Sequence, residues 1–200
     1  MMDVPREMPD HNALYQIAEQ QAGYFSAAQA RQAGFSGSLL SYHLGAGRFA
    51  RVSPRIYRLA QFPASPHEDL FVAWLRAGPN AVLSHDSALA LYDLSDLLPD
   101  QIHVTVSRSA SRRRPGLRLH TKQLDREDVT RYEGLPVTTV LRTLIDVAMA
   151  GLAEEQIQQA IREALRRGLI TRESLLQLTA SRGGRINRLI DETLHEGGER

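Results

Sequence analysis

The sequence predicts an α+β protein: an N-terminal winged helix-turn-helix domain is followed by a C-terminal mixed α+β domain that ends in helices. Helical patterns and then two short strand patterns fill residues 12–62. A stretch with two prolines at 62–66 precedes residues 65–195, where strand and helix patterns are mixed. With 200 residues and 42% hydrophobic content, the chain has enough apolar side chains for a core in each domain.

The first element expected is a helix close to the N-terminus. Residues 1–11 are polar and contain two prolines, which predicts a disordered or flexible segment. Leu14, Ile17 and Ala18 then recur at the spacing of one helix face. Gly23 follows at a position where a left-handed residue often ends a helix.

A helix-turn-helix is predicted next. Ser26 can cap a short helix over 27–33, Gly34-Phe35 makes the turn, and Ser36 can cap a third helix to about Leu44. This short turn is the spacing with which a helix-turn-helix sets its second helix in the major groove of DNA.

The third helix has two unlike faces. Leu40 and Leu44 share one face, and polar side chains occupy the opposite one. We expect four side chains of this helix and its cap to face DNA bases or phosphates: Ser36, Ser38, Ser41 and Tyr42.

Two strands are predicted after the helices. Gly45 and Gly47 end the third helix, and segments 49–52 and 56–59 then form a β-hairpin wing joined at Ser53-Pro54-Arg55.

The charge of this region is one-sided. No Asp or Glu occurs between Gln20 and His67, although the whole chain carries a net charge of only +1. Five arginines lie in the same stretch: Arg31, Arg48, Arg51, Arg55 and Arg58. A local excess of guanidinium groups on a small helical module is typical of a DNA-binding face, whereas a simple solvated surface is the alternative. We expect backbone contacts from Arg48, Arg51 and Arg55.

The second domain is predicted to mix helices and strands. Helices are expected at about 66–77 and 84–92, strands at 101–107 and 117–122, and a turn with a short edge strand at 133–137. Three helices follow, and the last runs from Thr171, breaks at Gly183-Gly184 and resumes to Leu194.

A second stretch without acidic residues lies between Asp100 and Asp125. Its two strands are expected to pair as a hairpin whose tip is basic, and such a tip can hold a phosphate backbone or a minor groove. An exposed charged loop is the equally weighted alternative. The candidate DNA contacts at this tip are Arg112, Arg113 and Arg114.

Few residue patterns in the sequence indicate a catalytic site or a metal site. The chain has no cysteine, and its seven histidines are scattered without a metal-binding spacing. Ser84-His85-Asp86 holds triad residue types, but neighbours on a helix point in different directions. Lys122 is the only lysine and is preceded at position 120 by His, not by the acid of an (Asp/Glu)-x-Lys nuclease core. The carboxylates of Asp125, Glu127 and Asp128 are interpreted as solvated loop charges. We predict no enzyme, catalytic residue, metal or cofactor.

The N-terminal segment lacks the apolar core of a signal peptide, and no apolar run approaches the length of a membrane span. These features predict a cytoplasmic protein with no membrane partner.

Several segments resemble the AbiEi family of antitoxins, and the likeness covers roughly residues 12–195 in order and spacing. These segments are Tyr24–Ala30, Gly34–Ser36, Ile56–Leu59, Leu83–Tyr92 and Gly134–Asp146. The resemblance makes residues 65–195 an antitoxin-like domain. It supplies no catalytic residue.

The resemblance implies an antitoxin encoded beside a nucleotidyltransferase-like toxin. Such antitoxins bind inverted repeats in the double-stranded DNA of their own promoter, repress it, and counteract the toxin, in many systems without a stable complex. We therefore expect an autorepressing DNA-binding antitoxin. The alternatives are a protein-interaction module that neutralises a toxin directly with little DNA binding, and a stand-alone winged-helix regulator.

Overall fold

The computed structural model of the chain describes residues 8–96, 99–110, 112–181 and 184–196. These residues form two compact units. The first contains the described residues up to Pro79 together with Glu133–Leu135, and the second contains Asn80–Tyr132 and the chain from Pro136 onward. Helices and strands occur in both units, which confirms the predicted α+β class.

The first unit has the element order of a winged helix. Its elements are α1 (His11–Glu19), β1 (Tyr24–Ser26), α2 (Ala27–Gln32), α3 (Gly37–Gly45), β2 (Phe49–Ser53), β3 (Ile56–Leu59) and α4 (Glu68–Ala77). The strands form an antiparallel sheet in the order β1-β3-β2, so the wing strands β2 and β3 are joined by a third strand that the sequence did not predict.

The folded chain begins earlier than the predicted boundary at residue 12. The Asp10 carboxylate accepts a hydrogen bond from the Ala13 amide at 2.9 Å and caps α1. The Asp10 amide donates to the Ala33 carbonyl oxygen at 2.9 Å. Residues 10 and 11 therefore do not belong to a flexible segment, because their backbone is fixed by these bonds. Residues 1–7 lie outside the described part of the chain.

The two predicted caps of the helix-turn-helix are present. Ser26 and Gln29 form a reciprocal capping box at the start of α2. The Ser36 hydroxyl accepts a hydrogen bond from the Leu39 amide at 3.2 Å and starts α3. Between these helices Phe35 is buried in the core, so the turn is held by an aromatic anchor as well as by the caps.

Gly23 is required where the chain passes from α1 to β1. Its φ is +89°, and a Cβ at this position would lie 2.5 Å from the Cβ of Phe62. An L side chain would thus meet both backbone strain and a clash.

We expect Gly23→Ala to lower the free energy of unfolding of the first unit by about 2–3 kcal/mol. Urea unfolding followed by the fluorescence of Trp74, the single tryptophan, measures this effect because Trp74 lies in the first unit. Gly37→Ala is the control, since a Cβ at Gly37 would meet nothing within 4 Å. Equal unfolding midpoints for the two variants would show that the contact with Phe62 is unimportant.

The core of the first unit is aromatic. Phe25 packs edge-on against Phe49 at a centroid distance of 5.1 Å and is stacked with Tyr57 at 5.7 Å. His43 of α3 is buried and stacks on Phe49 at 4.8 Å. These contacts fix α3 against the wing strands.

The first unit extends beyond the predicted domain end at residue 62 and includes α4. Tyr24 stacks on Phe71 of α4 at 4.9 Å, and its hydroxyl donates to the Glu68 carboxylate at 2.9 Å. His67 Nε2 lies 2.9 Å from an oxygen of Glu133, which belongs to the same unit. The proline-containing stretch at 62–66 is therefore a loop within this unit, and the division follows Pro79.

The second unit contains several helices and a five-stranded sheet, apart from Leu135, which begins β8 and belongs to the first unit. Its elements are β4 (Val82–Leu83), α5 (His85–Leu91), β5 (Ile102–Thr105), β6 (Leu117–His120), β7 (Val129–Tyr132), β8 (Leu135–Thr138), α6 (Val140–Ala150), α7 (Glu154–Arg166), α8 (Arg172–Ser181) and α9 (Arg185–Glu196). The strand order is β6-β5-β4-β8-β7.

The pairing of β5 with β6 differs from the prediction. The strands are parallel, with Ile102 opposite Leu117 and Thr105 opposite His120. They therefore do not form a hairpin. The connection is long enough to return to the beginning of the neighbouring strand, and it includes a 3₁₀ turn at Arg108–Ala110.

The strand β8 lies inside the sheet, between β4 and β7. The predicted edge strand at 133–137 is therefore wrong in its position. The buried side chains of Leu135 and Val137 agree with an inner strand, and the edge is formed by β7.

No helix in the described part of the chain is both long enough and apolar enough to cross a membrane.

Candidate nucleic-acid interface

The outward face of α3 is polar and exposed, as the spacing predicted. Ser38, Ser41 and Tyr42 are exposed, and Tyr42 retains 59% of its accessible surface. On the other side of the helix Leu40 and His43 are buried. Ser36, which caps the helix, is exposed as well.

The hydroxyl groups on this face are partly used within the helix. Ser36 Oγ lies 2.9 Å from Ser38 Oγ and also accepts the cap hydrogen bond. The Ser41 hydroxyl donates to the Gly37 carbonyl oxygen at 3.0 Å. The Ser41 oxygen keeps free lone pairs, so in this conformation it can accept a hydrogen bond from another molecule but has no proton to give.

Three exposed arginines follow α3 along the chain. Arg48 precedes β2, Arg51 lies within β2, and Arg55 lies in the turn between β2 and β3. Within the described residues no carboxylate lies at ion-pair distance from any of the three guanidinium groups. These three guanidinium groups are therefore uncompensated positive charges on the surface of the first unit.

Local contacts hold two of these arginines. The guanidinium carbon of Arg51 lies 5.9 Å from the centroid of the Tyr57 ring, a cation–π distance. Arg55 has a φ of +66°, and its carbonyl oxygen accepts a hydrogen bond from the Ala27 amide at 2.8 Å. The turn of the wing is thereby tied to the start of α2.

The other two arginines of the acid-free stretch differ from these three. Arg58 is half-buried and donates to the Phe62 carbonyl oxygen, so it supports the fold of the first unit. Arg31 is exposed in the last turn of α2, where a cation is favourable next to the helix C-terminus.

His43 connects α3 to the wing without carrying charge. Burial lowers its pKa, and the nearby positive charges of His11 and Arg48 lower it further. At neutral pH the ring is therefore an uncharged packing group, and the exposed face owes its charge to arginine.

The second predicted cluster lies in the connection between β5 and β6. Arg112 and Arg113 are exposed, whereas Arg114 is half-buried and donates to the Ala110 carbonyl oxygen at 3.2 Å. These residues belong to the second unit and lie in a crossover connection, not at a hairpin tip. Arg114 thus has a local structural contact, and Arg112 and Arg113 are the candidates for a partner.

Sequence reasoning missed a histidine cluster in the second unit. The rings of His85 and His120 stack at a centroid distance of 3.5 Å, and His103 lies 5.1 Å from His120. The three residues are on or next to adjacent strands, so only the strand pairing reveals the cluster. Among the described residues no group of three side chains is arranged to hold a metal ion.

The environment of the cluster keeps the histidines neutral. Burial, followed by the charges of neighbouring basic groups, lowers the pKa of His85 to about 3 and that of His120 to about 4. Burial also lowers the pKa of His103, although Asp86 at 3.7 Å acts in the opposite direction.

The side chains of Ser84-His85-Asp86 were expected to point in different directions. Those of Ser84 and His85 nevertheless contact each other. Ser84 precedes α5, and its hydroxyl lies 3.0 Å from His85 Nδ1. Ser84 also accepts a hydrogen bond from Thr105 and is fully buried. A buried hydroxyl in this position ties strands to a helix and does not offer a nucleophile to solvent.

One of the acidic loop residues is also paired. Arg142 of α6 is buried and lies 2.5 Å from Asp128 and 3.1 Å from Asp146. The interpretation of Asp128 as a solvated charge is therefore wrong. The loop brings its carboxylate to a guanidinium group that is itself withdrawn from water.

The protein is a two-unit α+β protein, and the helices and strands of its N-terminal unit follow the order expected of a winged helix. Residues 12–60 match the family described as "Transcriptional regulator, AbiEi antitoxin". This match confirms the predicted resemblance to the AbiEi family over residues 12–60.

A solved structure with a similar fold is that of the RV2827C protein from Mycobacterium tuberculosis. The sequences are 14% identical, the TM-score is 0.51, and the match covers 93% of this chain and 76% of the other. At this identity the likeness concerns the fold alone. The comparison with curated proteins gives no match.

Proposed function

We propose that the protein is an AbiEi-like antitoxin that binds the double-stranded DNA of its own promoter and represses it. The observation that carries this proposal is the surface of the first unit, where the polar side of α3 is exposed together with three arginines that no described carboxylate neutralises. The match of residues 12–60 to the antitoxin family supports it.

The physical argument rests on charge and shape. A short helix with a polar outward face fits the major groove, and the wing beside it reaches the adjacent backbone. Each guanidinium group that neutralises a phosphate releases a condensed cation, which favours binding at moderate salt. An acidic side chain in this face would oppose that release, and the stretch from Gln20 to His67 has none.

The partners follow from the same proposal. The DNA site consists of inverted repeats, and the second partner is a nucleotidyltransferase-like toxin that the protein counteracts in the cytoplasm. A regulator of this kind needs no catalytic group, metal or cofactor.

The first test is the salt dependence of DNA binding. We expect Arg51→Ala and Arg55→Ala to weaken binding, and each to reduce the slope of log K against log salt by about 0.9. Fluorescence anisotropy with DNA from upstream of the protein's own reading frame, at several salt concentrations, gives both quantities.

Arg172→Ala is the matched control, because Arg172 is an exposed arginine of the second unit at the start of α8. It should leave affinity and slope unchanged. The proposal fails if the wild-type protein does not bind this DNA at low salt.

A second test concerns Arg112 and Arg113. If they touch the DNA backbone, the double alanine variant should bind DNA more weakly and reduce the salt slope by roughly two. Its thermal unfolding should barely change, since exposed arginines contribute little to stability. Arg114 is kept because of its hydrogen bond to Ala110.

The same variant separates the two candidate roles of this cluster. Unchanged DNA binding together with loss of protection in toxin-expressing cells would assign the cluster to neutralisation of the toxin. Unchanged binding, slope and protection would show that the two arginines are only a solvated surface.

A further inference from the structure

We infer that the protein selects its DNA mainly through the minor groove, which Arg55 of the wing enters, and that its preferred site therefore carries a run of A·T pairs beside the major-groove contact. This inference rests on the proposed DNA binding and names the kind of sequence that the winged helix recognises.

The first step is the inventory of side chains on α3. The helix contains no Arg, Lys, Asn, Gln, Asp or Glu. Bidentate base contacts in the major groove are made by Arg or Lys to guanine and by Asn or Gln to adenine, while Asp or Glu accepts from cytosine. None of these contacts can come from α3, and the polar ring of His43 is buried.

The hydroxyl groups on α3 do not replace them. A serine hydroxyl can pair with a donor or an acceptor, so it discriminates poorly between base pairs. Those of Ser36 and Ser38 lie 2.9 Å apart, and that of Ser41 donates to the backbone at 3.0 Å. The outward face of α3 therefore positions the protein more than it reads sequence.

Tyr42 is the large exposed side chain of this helix. Its ring can contact a thymine methyl group, and its hydroxyl can reach a phosphate. One such contact favours thymine at a single position, which is too little to define a site. A second reading element is needed, and the wing is next to the helix in the chain.

The backbone of Arg55 is held in an unusual conformation. A φ of +66° is uncommon outside glycine, asparagine and aspartate, and it costs about 1–2 kcal/mol for an ordinary side chain. The hydrogen bond from the Ala27 amide to the Arg55 carbonyl oxygen, at 2.8 Å, fixes this conformation. Arg55 therefore presents an exposed guanidinium group from a backbone position that is fixed. This arrangement favours binding to a partner.

The dimensions suit the minor groove. The minor groove of B-DNA is about 6 Å wide, so it admits the extended side chain of an arginine but not a helix. Arg55 is exposed in the turn between β2 and β3 and has such a side chain. Runs of A·T pairs narrow this groove and strengthen its negative potential, which attracts an inserted guanidinium group.

The test uses base pairs that change one groove at a time. Duplexes that bind the full-length protein are first selected from a randomised pool. The flanking A·T run is then replaced by G·C or by inosine·C pairs, which share the major-groove edge but differ in the minor-groove amino group. Anisotropy measures the Kd of each duplex.

We expect A·T and inosine·C duplexes to bind within about twofold of each other, and G·C duplexes to bind about tenfold more weakly. Arg55→Ala should remove this difference. Arg55→Lys should restore most of the affinity but little of the preference, because an ammonium group is more strongly hydrated. Arg51→Ala and Tyr42→Ala are the controls, and both should preserve the order of the three duplexes.

Inosine·C duplexes that bind like G·C duplexes would overturn the inference, because the major groove would then be read. Retention of the A·T preference in folded Arg55→Ala would also overturn it. If the folded wild-type protein binds no duplex from the pool, the proposed DNA-binding function itself is refuted, which is a different result.

Discussion

Replacing Arg142 with alanine is expected to lower the free energy of unfolding of the second unit by about 3–5 kcal/mol. The Arg142 side chain is 7% exposed and pairs with Asp128 and with Asp146, which is 1% exposed. Its removal leaves two carboxylates without their guanidinium partner in a region withdrawn from water. Burial already raises the pKa of Asp146 despite the opposing effect of Arg142, so its ionised form would become still less stable.

Urea denaturation followed by far-ultraviolet circular dichroism measures the effect, with hydrogen exchange of second-unit amides to locate it. Arg166→Ala is the matched control, because Arg166 pairs with Glu163 on an exposed helix surface. That variant should leave the unfolding midpoint almost unchanged. If Arg142→Ala costs no more than Arg166→Ala, the buried ion pairs do not stabilise the second unit.

Acid is expected to destabilise the second unit well above the pH at which carboxylates titrate. The pKa of His85 is about 3 and that of His120 about 4 in the folded protein, against an ordinary value of 6.5. Below pH 6.5 these two histidines therefore bind protons in the unfolded chain more readily than in the folded chain. Stability is greatest above pH 6.5 and falls as the pH drops towards the folded pKa values.

At pH 5 each of these two histidines should lower the free energy of unfolding by about 2 kcal/mol relative to pH 7.5. The two together should lower it by about 4 kcal/mol. Urea unfolding at pH 7.5, 6 and 5 measures the slope. Few carboxylates gain protons between pH 5 and 6.5, so this window isolates the histidines. His120→Gln should remove about half of the dependence. An unfolding free energy that is the same at pH 7.5 and 5 would contradict the prediction.

Local features of the first unit could be predicted because each depends on a few neighbouring residues. Ser26 and Ser36 start helices through hydrogen bonds to amides three residues ahead, and Gly23 lies where a positive φ ends α1. The two predicted wing strands are present as well, at Phe49–Ser53 and Ile56–Leu59. The strand β1 was missed because three residues, Tyr24–Ser26, are too few to show a period.

Features that depend on distant residues could not be predicted in this way. The parallel pairing of β5 and β6 is a choice between two directions that the strands themselves do not encode, although the length of their connection favours a crossover. The histidine cluster follows from that pairing and from the neighbouring β4. The buried pair of Asp128 and Arg142 likewise joins residues whose sequence context is that of a loop and a helix.

Because Glu133–Leu135 belong to the first unit, residues 1–79 alone do not make up the whole of that unit. An exchange of residues 1–79 between related proteins would carry His67 into a new chain but leave its partner Glu133 behind. The first unit is therefore encoded by two separate stretches of the gene. Recombination that transfers only the first stretch would therefore place His67 opposite a residue that did not evolve with it.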